Sequence, residues 1–444
     1  MRVSTAASAF IFATLCGLLA LLGGVGANPS PIPTNKSIYN DRKRWRWCGP
    51  GHETGALVGL DDLLCQKVFP PLFDREFICP TLYDRDSRFS PPSKNISDIR
   101  VDEKEMASVV SPDVSIAVGI VKRHSDGSYT IRYIGKNAST QPVETWSSSK
   151  VFAASHAAYK LRSISDDKIG LDAFELGHDE PERLLRNISL GDLMTIVTSY
   201  DINHNLSSNE IGGYYHAIGG HKNATGYIHE RLGAPADETF GGDYGEEVPA
   251  FLGYTFVDVK SNASIDPDKV PRPPISNTMS PLTMAEYLRR IVFSREDGHL
   301  GSYGSADFRW EDSQAILYGA RESQLFPFLQ FGGMAISSDV YLQLGLGDMD
   351  KLNNRSHGRW RLFSKLGFGF SDIRKRYEIV LNGYACMPSL QGEKSMPILN
   401  EGLEFVISVK AFDYSKDHGV AVDRKMQAAF KNVTRYLRKV VGGE

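Results

Sequence analysis

The stretch Trp146-Ser147-Ser148-Ser149-Lys150-Val151-Phe152-Ala153-Ala154 decides how the rest of the chain is read. From Lys150 to about Arg162 the apolar residues Val151, Phe152, Ala157, Ala158 and Leu161 recur with the period of a helix. The serines therefore stand at its N-terminus, and Lys150 follows Ser147 by one turn on the same face. A serine hydroxyl is a weak nucleophile until a neighbouring base takes its proton. A lysine partly withdrawn from water has its charged form disfavoured and can be that base. Free amides at a helix start also point toward a developing oxyanion. The same letters describe an ordinary serine-rich helix cap, so the surroundings have to separate the two.

Upstream, Ser115–Lys122 and Tyr129–Gly135 read as two strands of a hairpin across Ser125-Asp126-Gly127. Downstream, Ser208 to His216 reads as a helix stopped by Gly219-Gly220, and Met284–Val292 as a short amphipathic helix after Pro281. Tyr377–Leu381 and Glu404–Lys410 read as strands, and Val422 to Val441 as a long closing helix. Strands, a block of helices, more strands and a final helix predict an α/β sandwich whose antiparallel sheet draws on both ends of the chain.

Two further motifs lie in order along the sequence. Ser207-Ser208-Asn209 leads into Glu210-Ile-Gly-Gly-Tyr-Tyr-His-Ala-Ile-Gly-Gly220, and Lys365-Leu366-Gly367 precedes Phe368-Gly369-Phe370. With Ser147-Ser-Ser-Lys150 these resemble the three signature motifs of the serine β-lactamase and penicillin-binding protein superfamily, closest to the class A type. Asn277-Thr-Met-Ser-Pro-Leu-Thr-Met-Ala285 is similar to a further helix start of that family. The resemblance runs from about Asp98 to the C-terminus, with extra sequence before Lys365.

The resemblance implies an α+β sandwich with a five-stranded antiparallel sheet flanked by helices, plus an all-helical lobe. It implies Ser147 as the acylated nucleophile, Lys150 as its base or proton relay, and Ser207 as proton donor to the leaving nitrogen. Asn209 would hold a substrate amide and help to fix Lys150. Lys365 would supply positive charge. The amides of Ser147 and Phe368 would form the oxyanion hole, with Leu366 and Gly367 beside the substrate. No metal or organic cofactor is needed, and the partner is a small-molecule or peptide amide.

Two departures bear on activity. Leu366 stands where the family usually has Thr or Ser, which removes a hydroxyl from the β-lactam carboxylate and costs about 1.5–3 kcal/mol. The deacylating Glu-x-x-Leu-Asn pattern is replaced by Asp243-Tyr-Gly-Glu-Glu-Val-Pro-Ala-Phe-Leu252, in which Glu246 or Glu247 could serve as base or simply be solvated loop carboxylates. Two classes of function stay open: a serine hydrolase for a β-lactam or another amide, including a glutaminase- or peptidase-type reaction, and a binding or scaffold protein that keeps the fold without turnover.

Composition agrees with a folded, exported protein. The chain has 444 residues, a net charge of −3, 41% hydrophobic and 23% charged residues. Such a balance excludes disordered, collagen-like and disulfide-dense classes and gives no basic excess for a nucleic-acid backbone. Residues 1–27 read as a signal peptide, with Arg2, an apolar run from Ala6 to about Leu22 and small residues before a cleavage after Ala27. An uncleaved anchor would be the sole membrane attachment. Residues 28–97 form a proline- and cysteine-containing extension, whose run Arg42–Trp47 reads as a surface segment or a polymer contact. Residues 98–444 would be the hydrolase domain that the resemblance implies.

Nine of seventeen asparagines begin Asn-x-Ser/Thr: Asn35, Asn95, Asn137, Asn187, Asn205, Asn223, Asn262, Asn354 and Asn432. Chance gives about two, so the chain reads as secreted and N-glycosylated. Asn205 overlaps the second motif, and a glycan there would crowd the cleft, so it is expected to be unoccupied. Cys48, Cys65, Cys79 and Cys386 remain after signal removal and imply two disulfides of open connectivity. His204, His216, His221 and His229 fit no metal template.

Overall fold

The computed structural model describes residues 75–81, 83, 85–139, 143–162, 174–178, 188–199, 208–242, 244, 254–258, 263–266, 276–299, 309–321, 332–336, 359–387, 402–417 and 419–441. The signal peptide, the run Arg42–Trp47, Cys48, Cys65, Asn205, Ser207, Glu246 and Glu247 lie outside the described residues.

Among the described residues six strands form the main sheet: β1 (Val101–Asp102), β2 (Val114–Arg123), β3 (Tyr129–Lys136), β4 (Arg361–Ser371), β5 (Arg376–Met387) and β6 (Leu403–Asp413). Their order is β1-β3-β2-β6-β5-β4. The five long strands pair antiparallel, and both ends of the chain meet where β6 pairs with β2, Ile407 opposite Val118. The five-stranded expectation is corrected by β1, two residues that pair parallel to β3 at the far edge. Two small three-stranded sheets also occur. One of them joins Val143–Glu144, Asn277–Met279 and Thr239–Phe240.

Strand residues alternate between the two faces of the sheet. On one face Ile116, Val118, Ile379, Leu381, Ile407 and Val409 belong to a single apolar cluster. It is closed by the last of four helices used below, α1 (Lys150–Leu161), α2 (Ser208–Gly219), α3 (Pro281–Val292) and α4 (Val420–Val441). Val422, Met426, Ala429, Phe430, Val433 and Leu437 of α4 recur at three- and four-residue steps and are buried in that cluster. Each large aliphatic side chain buried there stabilises the sandwich by about 1.5–3 kcal/mol.

The other face is more polar, and α3 packs against it across β2, β5 and β6. Arg289 of α3 is fully buried and pairs with Glu286 at 2.8 Å and Asp297 at 2.9 Å. The hydroxyls of Tyr129 and Tyr133 donate to Asp297 and Glu286, both at 2.6 Å. These carboxylates are satisfied from strand and helix together, which ties the helical layer to β3.

The first turn of α3 carries an ionisable cap. Ser280 accepts from the Thr283 amide at 3.2 Å, and buried Glu238 accepts from the Ser280 amide and the Thr283 hydroxyl, both at 2.9 Å. Burial pushes the Glu238 carboxyl from its ordinary 4.5 up to about 7, against the pull of those bonds. A carboxyl with a raised native pKa stabilises the fold below its unfolded value and loses that contribution as pH rises through the native one. Wild-type stability is therefore expected to fall between pH 4.5 and 7, with a ceiling of about 3 kcal/mol from this group. Glu238→Gln should flatten that slope in urea titrations at stepped pH.

The described part of the 28–97 extension is fastened to the sheet. Cys79 is disulfide-bonded to Cys386 of β5. The Arg361 guanidinium lies 4.1 Å from the Phe77 ring centroid, and Ser90 bridges to Ile131. Arg75 donates to the carbonyls of Gly319 and Ala320 at 3.0 and 2.7 Å. Among the described residues no helix is long and apolar enough to cross a membrane.

Candidate functional site

The serine run does not begin an α-helix directly. Trp146–Ser149 form a 3-10 turn, and α1 starts at Lys150. Glu144 pairs with Thr278, and the Thr145 amide donates to the Asn277 carbonyl at 2.8 Å, so the turn leaves a short strand at a fixed angle. Ser149 Oγ donates to the Trp146 carbonyl at 3.0 Å, and Ser148 Oγ donates to the Thr145 carbonyl. Both residues are buried, while Ser147 is partly exposed. Two of the three hydroxyls thus act as turn caps, and Ser147 is the serine of the three that is not buried.

Lys150, one turn on, is fully buried. Its Nζ donates to Ser208 Oγ at 3.0 Å and to Asn209 Oδ1, and stands 5.1 Å from the Tyr244 ring centroid. Helix α2 presents Ser208 and Asn209 from its first turn and packs against α1. Asn209 therefore meets Lys150. Among the described residues, which leave out Ser207, the hydroxyl bonded to Lys150 is that of Ser208, not singled out in the sequence. Tyr244 is the other group that sequence reasoning passed over, and its hydroxyl lies 3.1 Å from Ser149 Oγ.

The third motif arrives on the edge strand β4. Lys365 is fully buried, with Nζ donating to the Leu366 carbonyl at 3.2 Å. Burial, and then the charge of Lys150, hold its amine well below the ordinary lysine value. The Lys150 charge therefore reaches Lys365. It also runs against the expectation that Lys365 supplies positive charge, because burial and the Lys150 charge oppose its protonation.

Gly367 is where β4 touches the serine turn. A Cβ built there would stand 2.8 Å from the amides of Ser147 and Ser148 and from the Thr145 carbonyl, all backbone atoms. Only glycine permits that approach. Phe368 and Leu366 alternate with it, and both pack partly buried against the α4 cluster on the opposite face. Leu366 thus leaves the Lys365 face to its neighbours. Phe368 stacks on Tyr377 at a centroid distance of 5.9 Å.

The backbone before Ser147 is strained, since Trp146 has φ +49°, a region that bulky residues rarely occupy. Such outliers persist only where the surroundings over-determine them. Among the described residues no group of three or more His, Cys, Asp or Glu could hold a metal ion. What the arrangement offers is a partly exposed hydroxyl on a rigid turn, a buried amine bonded to an amide oxygen and a hydroxyl, and a second buried amine beside them.

No protein-family model matches this chain, and no curated protein matches it. Among solved structures it is similar in fold to serine β-lactamases and penicillin-binding proteins. The structure of PBP-A shares 12% identity, covering 79% of this chain and 99% of that one at a TM-score of 0.41. A β-lactamase from Xanthomonas campestris pv. campestris shares 13% identity, covering 77% and 99% at a TM-score of 0.39. A β-lactamase from Burkholderia vietnamiensis shares 11% identity, covering 75% and 95%, also at 0.39.

Proposed function

We propose that this chain is a secreted, N-glycosylated serine hydrolase that cleaves amide bonds through an acyl-Ser147 intermediate. The observation that carries the reading is the gathering of the Ser147 turn, Lys150, Asn209, Lys365 and Gly367 from three distant segments at one place. A serine cap needs no base beside it; an acyl-transfer site does, and a buried amine can be that base. The targeting segment and the exposed sequon residues Asn95, Asn137, Asn223 and Asn432 support export.

In the first step Ser147 Oγ bonds to the amide carbonyl carbon while its proton passes to Lys150 Nζ. The carbonyl oxygen becomes an oxyanion beside the turn amides. The carbon–nitrogen bond then breaks, and the proton goes to the leaving nitrogen. Ser208 Oγ, at 3.0 Å from Lys150 Nζ, is in place to carry it, the part the resemblance implies for its neighbour Ser207. Water completes the cycle by attacking the acyl carbon, returning Ser147 to its hydroxyl and releasing a carboxylic acid. Glu246 or Glu247 would be the base for that water.

Two features narrow the substrate. The Lys365 amine is held away from its charged form, and Leu366 turns to the α4 cluster without offering a hydroxyl. Both weaken the capture of a carboxylate, which favours an uncharged amide over an anionic β-lactam.

The full chain should be incubated with a fluorescent fluorophosphonate and, separately, a fluorescent penicillin, then digested for mass spectrometry. The expected result is fluorophosphonate label on the peptide carrying Ser147, slower penicillin label there, and none in Ser147→Ala. Wild type indistinguishable from Ser147→Ala with both probes would discard the enzyme in favour of the scaffold.

A further inference from the structure

Behind the serine turn lies a buried charge cluster that the reaction scheme does not use. Glu378 of β5 is fully buried. Its Oε1 accepts from the Nε atoms of Arg374 and Arg376, each at 2.8 Å, and its Oε2 accepts from Arg374 Nη2 at 2.9 Å. Lys410 Nζ of β6 stands 3.5 Å from the same oxygen. Oε2 also accepts the indole N–H of Trp146 at 3.2 Å, from the residue immediately before Ser147.

The indole has been given a seat as well as an acceptor. Gly369 lies opposite Glu378 in the β4–β5 register, and a Cβ at Gly369 would collide with the ring carbons of Trp146. Two residues earlier on the same strand, Gly367 abuts the Ser147 amide. Residues two apart share a face of the strand. The edge strand therefore carries one gap for the Trp146 ring and another for the Ser147 backbone, and Glu378 pins the ring in the first. Trp146 takes the left-handed backbone at φ +49° in this setting, a conformation that bulky residues rarely adopt.

We propose that Glu378 is a positioning residue for Ser147, acting through the indole of Trp146. The proposal rests on the acyl-serine reading and explains why a buried carboxylate and an indole donor meet behind the nucleophile. Burial alone would raise the Glu378 carboxyl, but Lys410, Arg374 and Arg376 hold it below the ordinary value. It is thus an ionised acceptor, and its bond to the indole is charge-assisted. Glu144, two residues before Trp146, faces the same group. Burial pushes its carboxyl up to about 7, with Arg374 and Lys410 pulling it down and Glu378 raising it. The anchor therefore stays ionised while its acidic neighbour takes up protons near neutrality.

A merely structural Glu378 would satisfy its three cations and leave the chemistry alone. A positioning Glu378 is coupled to one N–H. Trp146→Phe keeps a ring over Gly369 and deletes that N–H. The full-length wild type, Trp146→Phe, Glu378→Gln and the double variant should be compared for fluorophosphonate labelling of Ser147, resolving maximal rate from probe affinity.

Each single variant is expected to lower the maximal rate about 10–100-fold, with probe affinity changed less than about twofold. The double variant should be no slower than the slower single one, because both remove the same restraint. Wild-type rates in Trp146→Phe, or a double loss equal to the product of the single ones, would overturn the proposal. If Glu378→Gln does not fold, Trp146→Phe alone decides. An unlabelled wild type would count against the acyl-serine reading instead. The clamp is then decided by hydrogen exchange of the Trp146 indole N–H: faster exchange in Glu378→Gln upholds it, and unchanged exchange overturns it.

Discussion

Lys150→Met is expected to lower the rate of Ser147 labelling by about 10³-fold, within the range for loss of a general base. Methionine has nearly the length of lysine and suits an apolar helix interior, so α1 keeps its packing. What disappears is the amine that bonds Ser208 and Asn209 and whose charge acts on Lys365. The variant should remain folded, with a melting temperature close to wild type, since it removes one of two amines that oppose each other in a buried place. Its labelling rate should also lose the rise with pH that a deprotonating base confers. A variant labelled as fast as wild type, with the same pH profile, would mean that Ser147 is activated by something other than Lys150.

Gly367→Ala carries the second large effect. The added methyl would stand 2.8 Å from three backbone atoms of the serine turn, two of them amide nitrogens at Ser147 and Ser148. No flexible side chain is there to move, so either the turn or β4 must shift. A misplaced oxyanion donor costs about 10²–10³-fold in rate, and labelling is expected to fall by that factor. The same displacement should lower the melting temperature, in contrast to Lys150→Met. The two variants together therefore separate loss of the base from loss of geometry. Wild-type labelling and melting in Gly367→Ala would show that the strand and the turn are not in contact.

Much of the fold was legible because apolar periodicity reports burial directly. The hairpin of β2 and β3 was read within a residue or two of Val114–Arg123 and Tyr129–Lys136, and α1 to within one residue of its end. Helix α4 was read from Val422, where the structure has it begin at Val420. Strand β4 was the principal omission from the sheet, beside the unplaced helices Leu190–Ser199, His221–Leu232 and Trp310–Tyr318. Its inner face reads Lys365, Gly367, Gly369, and glycine and charge are poor strand signals. Those residues are there to admit the serine turn and the Trp146 ring, so the demands of the site hid the strand. β1 is too short, at two residues, to show any period.

The site was legible as far as its motifs. Ser147, Lys150, Asn209, Lys365 and Gly367 were named from motifs that resemble those of a known family, and the four other than Ser147 meet one another or the serine turn by bond, charge or close backbone approach. Ser208, Tyr244 and Glu378 were not, because nothing in a linear pattern says which hydroxyl faces an amine or which strand carboxylate reaches back under a turn. The direction of Leu366 was open for the same reason. Its identity removes a hydroxyl, but only the strand's register turns it to the α4 side.

By itself, the order of residues determined where helices and strands form, since solvent exclusion writes its period into them, and it marked the chemical groups worth watching. The tertiary structure decided the environment of those groups. It set Lys150 beside Asn209, which follows it by 59 positions, and put Lys365 within reach of its charge. Amine acidity and hydroxyl orientation depend on water removed and dipoles brought near by distant segments, and those are properties of the packed molecule.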